Sequence, residues 1–302
     1  MVQEDSVKVV VITGPTAVGK SETAVNAALK FNGEVVSADS MQIYRHMDIG
    51  TGKITPPEMC GVPHHMLDVA DVDEDYSVGR YVLEAKDAIN GIVARGKLPI
   101  IVGGTGLYIN SLLFNHSFAG APKDERIRNE LKDFLLSEGA EKLYERLKSV
   151  DPQSAEAINI NDTKRIIRAL EIYEITGKPR SAFKDECKAV CDYLLIVLYD
   201  ERELLYNRIN ARVDKMLSSG LVDEVRGLYK YKNCNSMQAI GYKEIVSYLD
   251  GIVTLEQAIE DVKQNSRRYA KRQMTYFRGM KAEKNFVNIT DNNIDQLINK
   301  FI

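Results

Sequence analysis

An apolar, β-branched run from Val7 to Thr13 breaks directly into Gly14-Pro15-Thr16-Ala17-Val18-Gly19-Lys20-Ser21, and a helix-forming stretch, Ser21 to Phe31, follows before Asn32-Gly33. This G-x-x-x-x-G-K-[ST] loop between a strand and a helix constrains the fold more than any other feature. Small residues let the backbone wrap until its N–H groups converge on phosphate oxygens, and the helix adds its positive N-terminal end. Lys20 supplies a point charge to the phosphates and Ser21 a hydroxyl able to hold Mg²⁺. The loop alone does not distinguish a nucleoside triphosphate from another diphosphate.

The rhythm continues with a strand from Glu34 to Ala38 ending in Asp39-Ser40 and a helix from Tyr76 to Arg95 closed by Gly96. A strand from Leu98 to Val102 then leads into Gly103-Gly104-Thr105-Gly106. Apolar strands alternating with helices imply an α/β, P-loop NTPase-like core with a parallel sheet flanked by helices. From Asp124 to Thr176 only helical stretches appear. A strand from Tyr193 to Tyr199 and helices from Glu201 to Tyr231 and Leu255 to Arg278 then complete the chain. The expected organisation is a core of 1–115 and 191–302 carrying a helical insertion domain, 116–190, without internal repeats.

With 302 residues, 44% hydrophobic and 27% charged, the chain is neither disordered nor collagen-like. No run approaches the roughly 18 apolar residues of a membrane span. Met1 to Lys8 carries Glu4 and Asp5 and lacks the features of a secretory signal, so a cytoplasmic location is expected. Cys60, Cys187, Cys191 and Cys234 are irregularly spaced and read as reduced thiols. Cys60, His64 and His65 lack a C-x-x-C partner and read as polar residues of a proline-rich loop. The formal charge of −3 is segregated: Lys263 to Lys284 holds eight basic residues and Glu283, net +7, which leaves −10 for the rest. Lys263, Arg267 and Lys271 stand at i, i+4 and i+8 beside Arg268 and Arg272, with Tyr269, Tyr276 and Phe277 interleaved. Such a stripe is either a solvated face or a nucleic-acid footprint.

A motor or switch nucleotidase would carry a magnesium-binding Asp at a strand end. Here the strand ends offer Asp39-Ser40 and a glycine turn with a hydroxyl, and Asp39 is expected to be the sole acid near the phosphate loop. Carboxyl ends of parallel strands line the binding crevice, so Asp39 should project into it. An Asp-Ser after a strand can also be a helix N-cap.

GPTAVGKS, SADSMQIYRHMDIGTGK (Ser37 to Lys53), VGGTGLY (Val102 to Tyr108), DTKRIIRALEIYEITGKP (Asp162 to Pro179), QAIGYKE (Gln238 to Glu244) and AKRQMTYFR (Ala270 to Arg278) together resemble the successive signatures of tRNA dimethylallyltransferases, in family order and over nearly the whole chain. Without a zinc-finger extension after Ile302, the chain is similar to the bacterial form. The resemblance implies transfer of a dimethylallyl group from its diphosphate to the N6 amine of the adenosine 3′ to the anticodon, in tRNAs reading codons that begin with U. It implies Mg²⁺ on Ser21, a tRNA anticodon stem-loop as partner, and a monomer.

By the same resemblance Asp39 is the base that takes the amine proton, Thr105 contacts the substrate nucleotide, and Arg212 closes over the diphosphate held by Gly14 to Ser21. The tRNA would meet Asp39, Ser40, Met41, Gln42, Thr105, Arg128, Thr163, Lys164, Arg165, Ile166 and Ile167, with Lys263, Arg267 and Lys271 as electrostatic support. Competing readings are a P-loop small-molecule kinase, an adenylate isopentenyltransferase acting on free nucleotide, and a non-catalytic RNA-binding switch. ATP binding at the loop stays open.

Overall fold

The computed structural model describes residues 7–114, 123–183, 188–291 and 293–302; Cys187 lies outside them. The chain forms two compact units, one from its two ends, up to Leu113 and from Ala189, and one from Phe114–Lys188.

The first unit opens with β1 (Lys8–Thr13), α1 (Lys20–Lys30), β2 (Gly33–Ser37), a single helical turn α2 (Pro56–Met59) and β3 (His64–His65). It continues through α3 (Val78–Ala94), β4 (Leu98–Gly103) and α4 (Gly106–Leu113). In the second unit lie α5 (Glu125–Val150), α6 (Pro152–Ala157) and α7 (Thr163–Thr176). The first unit resumes with β5 (Asp192–Tyr199), α8 (Arg202–Ser218), α9 (Leu221–Gly227), α10 (Tyr242–Leu249), α11 (Leu255–Gly279), β6 (Asn285–Asn288) and α12 (Ile294–Phe301).

All six strands are parallel, in the order β3-β2-β4-β1-β5-β6. The continuously apolar strands β1, β4 and β5 take the centre because helices cover both faces there, and Val10, Ile12, Ile100 and Ile196 are fully buried. Helix α1 packs its small stripe, Ala24, Ala27 and Ala28, into this core. Register sets the functional edge: Thr13 pairs with Gly103 and Val197, so the turns after β1, β4 and β5 emerge side by side. A second cluster, including Ile43, Met47, Leu221, Tyr242 and Ile245, packs α9 and α10 against the segment after β2.

Four features depart from the sequence reading. His64 and His65 form an edge strand, not a loop: both pair with β2, and Val35 N–H donates to Pro63 O at 3.0 Å. The helical run from Glu201 breaks at Gly220, whose φ of 98° ends α8 and starts α9. Strand β6 and helix α12 were not anticipated, since Asn285–Asn288 has little apolar character and is recruited by pairing with β5. Helix α10 likewise has no apolar run long enough to announce it.

Within the second unit, α5 bends at Gly139 (φ 85°, ψ 170°). Its halves pack Ile127, Leu131, Leu143 and Leu147 against Ile166 and Leu170 of α7.

Glu34 anchors the amino end of β2. Its side chain is only 3% exposed and meets Arg95 Nη2 at 2.6 Å, His65 Nε2 at 2.7 Å and Lys97 Nζ at 3.2 Å. These contacts, the Arg95 hydrogen bonds foremost, pull its carboxyl down to about 2. A depressed carboxyl pKa gives stability that is complete above the unfolded value near 4.5 and lost as pH falls toward 2. Glu34→Gln should therefore cost on the order of 2–3 kcal/mol at neutral pH, because it strips the Arg95 and Lys97 charges of their partner. Denaturant unfolding at pH 7 and at pH 3 checks this: the gap from wild type should shrink at the lower pH.

Candidate active site

The phosphate loop leaves β1 with Gly14, and α1 begins at Lys20, whose Nζ donates to Pro15 O at 2.7 Å. Burial, then the neighbouring positive charge of Arg212, pushes the Lys20 ammonium down to about 8, with Asp39 acting in the opposite sense. Burial likewise lowers Arg212 below the ordinary arginine value, and Asp39 and then Glu58 oppose it. Asp39 thus lies within electrostatic reach of two partly buried cations at the carboxyl edge of the sheet. The Arg212 Nη2 donates to Thr51 O at 3.1 Å, and Gln42 Nε2 donates to the same carbonyl at 3.4 Å.

Asp39 does not cap a helix. The residues after it form turns, and its Oδ1 accepts the Met41 N–H at 2.9 Å. Thr105 is locked beside it: its N–H donates to Ala38 O at 3.1 Å, its Oγ1 accepts the Ser40 N–H at 2.9 Å, and its hydroxyl lies 3.2 Å from Ser40 Oγ. Ser21 is exposed at the first turn of α1.

Asp39 is not the sole acid at this edge. Asp200 follows β5, next to β1, and its side chain is 2% exposed. Its Oδ1 accepts the Glu201 N–H at 2.8 Å, and its buried Oδ2 lies 3.3 Å from Arg208 without accepting a hydrogen bond. Among the described residues no group of three or more His, Cys, Asp or Glu could hold a metal. A hard cation on the Ser21 hydroxyl would therefore draw its other ligands from a bound diphosphate and water, which suits Mg²⁺.

Helix α11 supplies groups that the sequence reading missed. Gln273, 6% exposed, accepts the Thr16 N–H on Oε1 at 2.8 Å and donates from Nε2 to Gly104 O at 3.0 Å. A Cβ at position 104 would fall 2.1 Å from that Nε2, so a side chain there would displace the carboxamide. One carboxamide thus ties the phosphate loop to the glycine turn after β4. The Tyr269 phenol sits beside Thr105 and Gln273, and burial, then the Asp39 charge, holds it above the ordinary tyrosine value. The available signal was phase: Gln273 shares the buried stripe of Ala270 and Phe277, where an apolar residue is expected.

The charge stripe on α11 needs correction. Lys263 pairs with Asp214 at 2.6 Å, and Arg267 meets Glu260 at 2.9 Å and Asn210 at 2.6 Å; their side chains are 20% and 23% exposed. Both serve the packing of α11 against α8. Of that stripe, Arg268, Lys271 and Arg272 are exposed, while Phe277 is fully buried in the core.

In the second unit Thr163, Lys164 and Arg165 open α7, and the latter two are exposed. Ile166 and Ile167 are buried core residues there. Arg128 is engaged through Nε by the fully buried Glu171 at 2.8 Å, and Arg168 reaches the other oxygen at 2.6 Å. Burial raises the Glu171 carboxyl, but the Arg128 and Arg168 hydrogen bonds outweigh it and leave the group below its ordinary value.

A phosphate loop on a parallel sheet, faced by a carboxylate and a desolvated arginine, defines a P-loop NTPase-like protein equipped for group transfer from a diphosphate. The chain belongs to the IPP transferase family, whose profile matches residues 42–280. It is 52% identical over 275 residues to the tRNA dimethylallyltransferase of Geobacillus thermodenitrificans, which spans 90% of this chain and 87% of that one. The crystal structure of the full-length tRNA isopentenylpyrophosphate transferase from Bacillus halodurans superposes with a TM-score of 0.70 at 48% identity, covering 97% of this chain and 93% of that one. A eukaryotic dimethylallyltransferase acting on tRNA gives a TM-score of 0.82 at 35% identity, over 96% and 77% of the two chains.

A Lys20 ammonium lowered to about 8 is partly neutral above that pH in the free protein, whereas a bound anion restores its charge. Diphosphate binding measured in EDTA at pH 9 should take up a fraction of a proton and weaken as pH rises. Calorimetry in buffers of different ionisation enthalpy reads this directly. Lys20→Arg should abolish the uptake, because a guanidinium stays charged.

Proposed function

We infer that this chain transfers a dimethylallyl group from dimethylallyl diphosphate to the exocyclic N6 amine of the adenosine 3′ to the anticodon, in tRNAs reading codons that begin with U. The observation that supports the reading is a phosphate loop, Gly14 to Ser21, whose Lys20 lies within electrostatic reach of both Arg212 and Asp39 at the carboxyl edge of the sheet.

The adenine amine is a poor nucleophile because its lone pair is delocalised into the ring. As the N6–C1 bond forms, the Asp39 carboxylate takes a proton from N6, so that no full positive charge builds on the base. The C1–O bond breaks, and its electron pair leaves with the diphosphate. The loop amides from Gly14 to Ser21, Lys20 and Arg212 hold that leaving group and stabilise its growing charge. Mg²⁺, held by the Ser21 hydroxyl, would neutralise part of the same charge. Thr105, fixed between Ala38 and Ser40, orients the turn that carries Asp39. Gln42, beside the carbonyls that also take Arg212, offers an amide to a base edge.

A tRNA brings phosphates as well as a base. Exposed Arg268, Lys271 and Arg272 supply cations for them on the first unit, and Lys164 and Arg165 on the second. Among the described residues no helix is long and apolar enough to cross a membrane.

The test is incubation with Mg²⁺, dimethylallyl diphosphate and unmodified tRNA, following the mass of the anticodon-loop adenosine. Transfer to free nucleotide but not to tRNA, or ATP-dependent phosphorylation instead, would overturn the reading. Asp39→Ala should lower turnover by ~10²–10⁴-fold while leaving tRNA affinity within a few-fold. A variant with near-normal turnover removes Asp39 from the base role.

Neutralising Arg268, Lys271 and Arg272 together should weaken tRNA binding and reduce the slope of log affinity against log salt by roughly 0.7–0.9 per lost phosphate contact. Neutralising Lys263 and Arg267 should instead lower thermal stability. Filter binding across a salt series, with melting curves alongside, separates the two sets.

A further inference from the structure

The segment Met47 to Lys53 carries no residue of the reaction described above, yet the structure holds it at many points. Lys53, with a side chain 6% exposed, binds Asp48 and Asp68 at 2.6 Å each and donates to Tyr44 O at 2.8 Å. Opposite, the carboxylate of Glu224, in the first turn of α9, accepts three consecutive backbone N–H groups: Asp48 at 3.0 Å and Ile49 at 2.7 Å on Oε2, and Gly50 at 2.9 Å on Oε1. The Tyr242 hydroxyl donates to Oε1 at 2.5 Å. Burial and the Glu224 charge hold that phenol above its ordinary value, so it remains the donor.

At its two glycines the segment lies directly against Tyr242 and Arg212. A Cβ on Gly50 would fall 2.4 Å from the Tyr242 ring, and one on Gly52 would fall 1.8 Å from Arg212 Nη2. Directly after the three captured amides come the carbonyls of Thr51 and Gly52, which take Arg212 Nη2 at 3.1 and 3.5 Å. Among the described residues no carboxylate lies within ion-pair distance of Arg212, so these carbonyls are what fix its guanidinium. A carboxylate that gathers successive amides orders the backbone beyond them, because each hydrogen bond fixes one peptide plane.

We propose that Glu224 is a positioning residue for the diphosphate site: by gripping Asp48 to Gly50, with Tyr242 behind it, it sets the direction in which Thr51 and Gly52 aim Arg212. This rests on the assignment of Arg212 to the diphosphate. It gives the glycines of Asp48-Ile49-Gly50-Thr51-Gly52 and the Tyr242 of Gln238 to Glu244 a shared purpose, although the two motifs are far apart in sequence.

The test is a double-mutant cycle read by calorimetric binding of inorganic diphosphate. Glu224→Gln should weaken binding about tenfold in the wild-type background, since an amide nitrogen cannot accept the loop N–H groups, and less than about twofold when Arg212 is already Gln. A merely structural role would lower affinity by the same factor in both backgrounds, and that result overturns the proposal. So does an Arg212→Gln variant that binds diphosphate normally. If Glu224→Gln does not fold, Tyr242→Phe, which keeps the ring over Gly50, decides through the same cycle with a smaller effect. Because the probe is diphosphate alone, a wild type that binds it but modifies no tRNA refutes the transfer activity and not this relay.

Discussion

Two cations, Lys20 and Arg212, are partly buried at the carboxyl edge of a parallel sheet with Asp39 as their charged counterpart. Desolvating a cation is costly, and two near one another cost more, so the arrangement stores an affinity for anions that a diphosphate can satisfy. The carboxylate that moderates this positive field is the one proposed above to receive the amine proton. In that proposal, binding the leaving group and activating the nucleophile are opposite ends of one electrostatic balance.

That balance needs a rigid frame, and the frame is made largely of neutral groups. Arg212 rests on the backbone carbonyls of Thr51 and Gly52, Thr105 on Ala38 and Ser40, and the phosphate loop on the Gln273 carboxamide. Charged partners in these positions would quench the field that the site requires. Carboxylates appear one step back, where Glu224 orders a loop and Asp200 faces Arg208. The ion pairs that serve stability, such as Glu34 with Arg95 and Glu171 with Arg128, lie elsewhere.

Helix α11 shows how one element can be read wrongly from its sequence while its motif is read correctly. Lys263, Arg267 and Lys271, with Arg268 and Arg272 alongside, look like one stripe. In the fold they divide: Lys263 and Arg267 are consumed by acids and an amide nearby, and Arg268, Lys271 and Arg272 face solvent. Between them Gln273 and Tyr269 turn toward the catalytic turns. The helix is at once a core element, a wall of the site and a charged surface, because 25 residues at 3.6 per turn present every direction several times.

The sequence by itself determined what local chemistry can specify. The phosphate loop between strand and helix, the apolar central strands, the helical character of the second unit and the position of Asp39 at a strand end all follow from short-range pattern. Tertiary structure decided everything that depends on partners distant in sequence. Asn285–Asn288 becomes a strand only because β5 offers it an edge, and Ile166 and Ile167 are core because α5 covers them. Arg128 is paired because Glu171 lies beneath it, and Glu224 grips a loop more than 170 residues away. Periodicity records how much of a residue is buried, but the identity of its neighbour is set by chain topology, which no local window contains.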